Sequence, residues 1–220
     1  AVVEDAARAF IHKPVLVTGA GRTDAGVHAT GQAAHLDVPE KFTANRVMEA
    51  LNAHLSSVPV TIQSASEVPR DFHARFSAIG RRYLYRILPR RQPPALDASR
   101  VWHHKHILDP KLMAIAAKHL LGRHDFTSFR ASQCQADSPL RTLDRLDIEA
   151  NGDEIHIHTE ARSFLHHQVR NITGTLALVG TGKWSPENVK TALEAVNRSA
   201  AGPTAPAHGL YLVGVDYPTI

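Results

Sequence analysis

The sequence predicts an α+β fold, and three observations carry that expectation. In some stretches apolar residues alternate with polar ones, as on a strand with one buried face; in others they recur every three or four residues, as on an amphipathic helix. Asn151-Gly152 separates two alternating runs, the strongest short signal for an antiparallel hairpin. The elements read helix, strand, strand, helix, strand, and then strand, helix, strand, strand, helix, helix, strand, so both types run through the whole chain.

Val3, Ala6 or Ala7, and Phe10 have helical spacing across residues 1–10. Val15-Leu16-Val17 reads as a strand, and Ala34, Leu36 and Val38, alternating with His35 and Asp37, as a second. Between them, Gly19-Ala20-Gly21-Arg22-Thr23-Asp24-Ala25-Gly26-Val27-His28-Ala29 is a turn with three glycines and one carboxylate. Glycines allow positive φ or close approach to a ligand. Asp24 could serve there as an Asx-turn residue, but a turn needs neither Arg22 nor His28 beside it. The same stretch looks like the opening of a dinucleotide-binding fingerprint at Gly19 and Gly21. It fails there, because Asp24 falls where the third glycine belongs and a strand follows instead of a helix.

Val47, Leu51 and Leu55 mark a short helix over 44–55, and residues 58–62 read as a strand. From Arg70 to Arg91, seven arginines accompany one acid, Asp71, while Ile79, Tyr83, Tyr85 and Ile87 alternate. This strand could offer guanidiniums to phosphates and rings to bases, or it could be half-buried with a solvated charged face. Arg81 and Arg91 are expected to act mainly in binding. After Gln92-Pro93-Pro94, Asp109 caps a helix with Pro110 at its first position; Leu112, Ile115, Ala116, His119 and Leu120 form its stripe and Gly122 ends it. Residues 123–142 read as a long polar loop carrying Phe126 and Phe129. Strands at 143–150 and 154–161 follow, with Leu146, Ile148 and Ala150 matched by Ile155, Ile157 and Thr159. A helix is expected over 163–179, with Leu165, Val169, Ile172, Leu176 and Val179 on one face and His166, Arg170 and Thr173 on another. Ser185 and Pro186 open the last helix, and a Pro/Gly/Ala loop at 200–209 leads into a strand at 210–217.

The net charge is +4, the sequence pI about 9.4, and 18 Arg outnumber 7 Lys. An arginine-biased basic chain suggests a polyanionic partner. No apolar run approaches the ~18 residues of a membrane span. No signal peptide is expected, and the single cysteine, Cys134, excludes a disulfide framework, so a reducing, cytoplasmic setting is expected. The 15 histidines include His103-His104-x-His106, His156-x-His158 and His166-His167. Without paired cysteines or an H-E-x-x-H motif, two strand histidines do not make a site, and no metal is expected.

Gly21-Arg22-Thr23-Asp24-Ala25-Gly26-Val27-His28-Ala29 resembles the signature of the tRNA pseudouridine synthase A family. Phe72-His73-Ala74-Arg75, Arg82-Tyr83-Leu84-Tyr85, His124-Asp125-Phe126-Thr127-Ser128-Phe129, Phe164-Leu165-His166-His167-Gln168-Val169-Arg170-Asn171 and Ala205-Pro206-Ala207-His208-Gly209-Leu210-Tyr211-Leu212 resemble later segments of it. The resemblance implies that Asp24 is the catalytic nucleophile, Arg170 its ion-pair partner and Tyr83 the ring that stacks on the target uracil. It implies that Arg22 takes the flipped base's place in the stem, that Leu210 belongs to the motif lining the uracil pocket, that His28 and Arg82 bind substrate, and that 124–129 lie near the RNA. The implied reaction is isomerisation of uridine to pseudouridine at positions 38, 39 and 40, without a cofactor. The implied partner is tRNA, through its anticodon stem-loop and elbow, bound by a homodimer. The family also carries an upstream strand with Tyr-Asp-Gly and Gly-Trp-Gln motifs, absent from these 220 residues. Restoring it gives βαββαβ twice: two ferredoxin-like halves, 1–69 and 70–220, sharing an extended antiparallel sheet with a central basic cleft.

Overall fold

The computed structural model describes residues 2–21 and 23–219. In chain order the elements are α1 (Val2–Ile11), β1 (Thr18–Gly19), β2 (His28–Ala29), β3 (Ala34–His35), α2 (Ala44–His54), β4 (Gly80–Pro89), β5 (Trp102–His104), α3 (Pro110–Ala117), β6 (Gly122–Asp125), β7 (Leu140–Asn151), β8 (Glu154–Ala161), α4 (Gln168–Gly180), α5 (Pro186–Glu194) and β9 (Leu210–Asp216). They form two compact units. One holds the residues ahead of Arg22, Ala33–Ala78 and the residues after Asp216; the other holds Thr23–Gln32 and Ile79–Asp216.

In the first unit α1 buries Ala6 and Ala7 against Val47 and Leu51 of α2 and the following Leu55. Thr43 caps α2 by accepting from the Arg46 amide. The ladder of β1 and β3 is antiparallel and only two residues long, with Thr18 opposite His35. It lies after Val15-Leu16-Val17, which form no strand, and ends before Leu36 and Val38, so the first expected strand is displaced to Thr18–Gly19 and the second is cut to Ala34–His35. Val15, Leu36 and Val38 instead pack on the helical core, and the Val17 amide donates to Glu4 Oε1. The strand expected at 58–62 is not formed. Asn52 satisfies both backbone groups of Ile62, donating to its carbonyl at 2.9 Å and accepting from its amide at 2.8 Å. Val58, Val60 and Ile62 therefore reach the core without a ladder.

The second unit is built on a seven-stranded sheet ordered β2-β9-β4-β8-β7-β6, with β5 beside the end of β4. The β2–β9 and β4–β5 pairings are parallel, so the sheet is mixed rather than wholly antiparallel. The four central strands are antiparallel throughout. Leu146, Ile148 and Ala150 lie opposite Thr159, Ile157 and Ile155, as their alternation demands. The turn sits one residue later than expected. Asn151 pairs with Glu154, and Gly152, at φ +58°, takes the first central place. Tyr85, Ile87, Leu146, Ile155 and Ile157 pack from the sheet against Met113, Ile172, Leu176 and Val189 of the helices.

Two expectations in this unit are corrected. The stretch read as a loop at 123–142 opens with β6, and Phe126 and Phe129 are fully buried in the core. Gly122, at φ +90°, reverses the chain into that strand. The helix expected from 163 begins at Gln168. The double reading of β4 also resolves. Period-two geometry puts Tyr83 and Tyr85 on the core side and Arg82 and Arg86 on the other, so rings and guanidiniums form no common platform. The Tyr85 hydroxyl donates to the Pro206 carbonyl at 2.7 Å. Arg86 is held by Glu154 at 2.7 Å and Asp97 at 2.9 Å, and buried Arg81 donates to the Arg162 carbonyl at 2.6 Å. Arg81 is therefore a structural residue. Among the described residues no helix is long and apolar enough to cross a membrane.

Candidate active site

Asp24 opens a turn closed by the Val27 amide donating to the Asp24 carbonyl at 3.0 Å, with Gly26 at φ +83°. That is the place where a type II turn requires positive φ, which explains the glycine two residues after the acid. The chain then enters β2, whose parallel pairing with β9 fixes the loop to the sheet of the second unit.

The Asp24 carboxylate meets α4 at its start. Arg170 Nη1 donates to Oδ2 at 2.8 Å, His167 Nε2 lies 3.0 Å from the same oxygen, and His166 Nε2 lies 3.2 Å from Oδ1. The local sequence explains how consecutive histidines reach one carboxylate. Residues 165–168 form a turn in which the Gln168 amide donates to the Leu165 carbonyl at 3.0 Å while Gln168 Oε1 accepts from the Leu165 amide at 2.8 Å. His167, inside that turn, adopts φ +62°. A helix starting at 163 would spread His166 and His167 about 100° apart; the left-handed residue brings their rings to 4.0 Å. Left-handed backbone costs a non-glycine residue roughly 1–2 kcal/mol.

Arg170 is fixed at both ends. Its Nε donates to the Ala205 carbonyl at 2.8 Å, and the Ala205 amide donates to the Arg170 carbonyl at 3.1 Å. A cation in the first turn of a helix opposes the macrodipole, so its place there needs an anion in front of it. Asp24 is that anion. Its side chain keeps 26% of its surface open, enough for a substrate atom to reach it. Burial pushes the Asp24 pKa up, but the Arg170 hydrogen bond and the charges of His167, His166 and Arg170 outweigh it, and the net shift is downward. Asp24 is thus an anion at neutral pH. Burial is also the main reason that the His167 pKa is lowered, against the pull of Asp24. At neutral pH His167 is therefore a neutral donor, and Arg170 supplies the fixed charge.

Tyr83 borders this cluster. Its ring meets Phe164 edge-on at 5.1 Å, and burial, with the Asp24 charge adding and Arg81 opposing, raises its pKa. It stays a neutral phenol. The other expected residues lie in different settings. Leu210 is in the core, opposite Tyr85 in the ladder. Arg82 pairs with Asp216 at 2.9 Å. His28 stacks on Tyr211 at 4.8 Å and donates to the Ser99 carbonyl at 2.9 Å. Arg22 lies outside the described residues.

Three residues near Asp24 were not singled out as site residues from the sequence. His166 and His167 stand in the sequence as a histidine pair inside the family-like segment 164–171, with no role assigned to them. Buried Asn171 donates to the Phe129 carbonyl at 2.8 Å and accepts from Thr204 at 2.6 Å, pinning the loop that carries Ala205. Its signal was its place next to Arg170. Asp24, His166 and His167 bring their donor atoms within 4.8 Å of one another, as metal ligands would. The Arg170 guanidinium already occupies the Oδ2 side, and a second cation there would meet like charge.

The profile of the family described as tRNA pseudouridine synthase matches residues 2–77 and 116–218. The chain is 56% identical over 216 residues to tRNA pseudouridine synthase A of Paramagnetospirillum magneticum, covering 98% of this chain and 84% of that protein. The same identity over 216 residues relates it to the enzyme of that name from Rhodospirillum rubrum, covering 98% and 78%. With that of Caulobacter vibrioides it is 56% over 215 residues, covering 98% and 87%. A carboxylate held by an arginine at a helix start, in a chain so matched from end to end, leads to one conclusion: the chain belongs to the tRNA pseudouridine synthase A family, isomerases that act on uridines of tRNA.

Proposed function

We propose that Asp24 is the nucleophile that converts uridine to pseudouridine in the anticodon stem-loop of tRNA, at positions 38, 39 and 40. The observation that carries this is the Arg170–Asp24 contact at 2.8 Å on a carboxylate that is ionised and still partly open. The reaction breaks the bond from N1 to C1′ and forms one from C5 to C1′. N1 gains a proton and C5 loses one, so the atoms balance within one nucleotide. No electron or group is supplied from outside, and the chemistry calls for no cofactor. What it needs is an anion aimed at the sugar–base unit, and a site that holds the detached ring while it turns. Arg170 aims the carboxylate, His166 and His167 fix its plane, and Tyr83 supplies a face for the uracil. Extracting the nucleotide from its stack costs a few kcal/mol, and Arg22 is assigned to fill the place it leaves. Leu210 would border the uracil, and His28 and Arg82 would contact the RNA further out, Arg82 at a sugar or base rather than a phosphate, since Asp216 holds its charge.

The remaining parts of the proposal follow the resemblance. The order of the central strands, β9-β4-β8-β7 with a helix after β4 and another after β8, supports a ferredoxin-like reading of residues 70–220. Residues 1–69 would be the matching half, across a basic cleft, and two copies would grip one tRNA from anticodon stem-loop to elbow in the cytoplasm.

The test is Asp24→Asn, assayed by tritium release from C5-labelled uridine in tRNA. Loss of turnover by about 10⁴-fold or more, with tRNA still bound, is expected for removal of a covalent nucleophile. Turnover at the wild-type rate would refute the assignment. RNA binding that never yields a modified base, in the wild type as well, would make the chain a binding module.

A further inference from the structure

The pair His156-x-His158 plays no part in the reaction just described. On β8 these residues alternate with Ile155 and Ile157, which are buried in the core, so both imidazoles stand on the face of the sheet turned away from the helices. The sequence offers two ligands there, and the fold brings a third. Glu149 lies opposite His156 in the β7–β8 ladder, on the same face.

We propose that Glu149, His156 and His158 form a binding site for a divalent transition-metal ion of the zinc type, bridging β7 and β8. One donor atom from each residue lies within 4.8 Å of the other two. His158 Nε2 is 3.1 Å from Glu149 Oε1. Two ligands about 2.0–2.2 Å from one ion stand roughly 2.8–3.6 Å apart for angles between octahedral and tetrahedral, so this pair already has the separation of two ligands. The third is pre-oriented. His156 Nε2 lies 2.9 Å from Glu154 Oε2, and its Nδ1 lies 3.1 Å from Asn151 Nδ2. Glu154 is itself clamped by Arg86 through two contacts of 2.7 and 2.8 Å. A carboxylate that holds one imidazole nitrogen is the usual outer support of a histidine ligand; with Glu154 on Nε2, Nδ1 is the ligand atom, and it would exchange the Asn151 amide for the ion.

The charge balance also favours a cation. Arg86, the cation next to His156 in the β4–β8 ladder, is shared between Glu154 and Asp97, and Asp147, opposite His158, is held by Arg145 at 2.6 Å, which leaves Glu149 as the carboxylate near the histidines with no guanidinium on it among the described residues. Two imidazoles and one carboxylate suit zinc, cobalt or nickel; magnesium and calcium prefer oxygen alone. Three protein ligands leave further positions to water, and the ion would clip together the hairpin that ends at Gly152.

The test is titration of the full chain with Zn²⁺ against a chromophoric chelator, with thermal melting alongside. Micromolar or tighter binding of one equivalent that raises the melting temperature is expected, and excess Mg²⁺ should not displace it. Glu149→Gln should weaken binding roughly 10–100-fold, the scale on which single interactions at metal sites act, and His158→Ala should abolish the melting shift. Melting of each metal-free variant shows that its fold is intact. Binding only at millimolar Zn²⁺ would overturn the proposal. So would tight binding unchanged by His158→Ala but lost in His166→Gln, which would place the ion at the Asp24 cluster.

Discussion

His167 is the residue whose backbone carries the most information about the site. Its φ of +62° serves no packing purpose visible in the core, yet it lets its imidazole lie 3.0 Å from Asp24 Oδ2 while His166 approaches Oδ1. Asp24 and Arg170 drew notice through the resemblance of their two segments to the family, since a lone carboxylate in a glycine loop otherwise reads as a turn residue and an arginine on the polar side of a helix as solvated; the fold brings the two to 2.8 Å. The role of the histidines was not legible, because amphipathic spacing extended the helix back to 163 and nothing in that pattern signals a left-handed residue. Replacing His167 by Gln keeps a donor of similar reach but removes the ring. We expect kcat to fall roughly 10-fold, the worth of one weakened hydrogen bond to a charged group, with KM for tRNA little changed. A second readout separates positioning from folding. The folded-state pKa of His167 is lowered, so below about 6.5 the unfolded chain binds the proton more readily and stability falls with acid until the lowered folded value is passed. Asp24, also lowered, contributes stability that persists above its unfolded value and is lost only in stronger acid. Thermal melting from pH 8 to pH 5 should therefore slope downward in the wild type and more gently in His167→Gln. Equal slopes would mean that His167 titrates as it does in the unfolded chain.

At the scale of the element, the seam between α4 and the loop before β9 holds Arg170 in place. Gly174 lies where that loop crosses the helix; a Cβ there would come 1.8 Å from the Pro203 carbonyl oxygen, a backbone atom with no rotamer to yield. On the other side Gly202 sits against Thr175, whose hydroxyl accepts from the Gly202 amide at 2.9 Å. Asn171 and Arg198 complete the fastening, with Arg198 donating to the Gly202 carbonyl at 2.9 Å and to Asn171 Oδ1 at 3.1 Å. Gly174→Ala would push the loop away and carry Ala205 off the Arg170 guanidinium. We expect at least the ~1–3 kcal/mol typical of overpacking by denaturant unfolding, and a loss of kcat larger than that of a surface variant of equal stability. The same elements show what local pattern could and could not reveal. The β7–β8 hairpin was readable because alternation holds on both strands and Gly152 marks the turn, although Asn151 stays in the ladder and the turn falls one residue later than its Asn-Gly signal. The apolar run at 58–62 has strand composition, but its polar groups are met by Asn52, a tertiary contact that no local pattern encodes. β6 was hidden because its four residues, Gly-Arg-His-Asp, owe their conformation to the ladder with β7 and carry no strand signal of their own.

At the scale of the whole molecule, the excess of arginine over lysine invites the idea that every guanidinium on β4 meets phosphate. The structure separates these arginines into two kinds. Arg86 is neutralised by Glu154 and Asp97, Arg82 by Asp216, and Arg81 is buried on a backbone carbonyl. Such groups have little charge left for counterion release, because a guanidinium already paired with carboxylates must give them up before it can bind a phosphate. Arg91, in the exposed turn after β4, has no such cost. Binding of tRNA measured across salt concentrations should distinguish the two. Each phosphate contact contributes a slope of about 0.7–0.9 in log K against log salt. Arg91→Ala should therefore flatten the slope by about that amount, with kcat retained on saturating tRNA. Arg82→Ala should leave the slope unchanged and Arg86→Ala should instead lower the melting temperature, since it strands two carboxylates. If Arg86→Ala flattened the slope as much as Arg91→Ala while melting normally, the open face of this sheet, and not only the side bearing Asp24, would lie against the RNA. The basic bias of the composition would then reflect a contact surface larger than the one proposed.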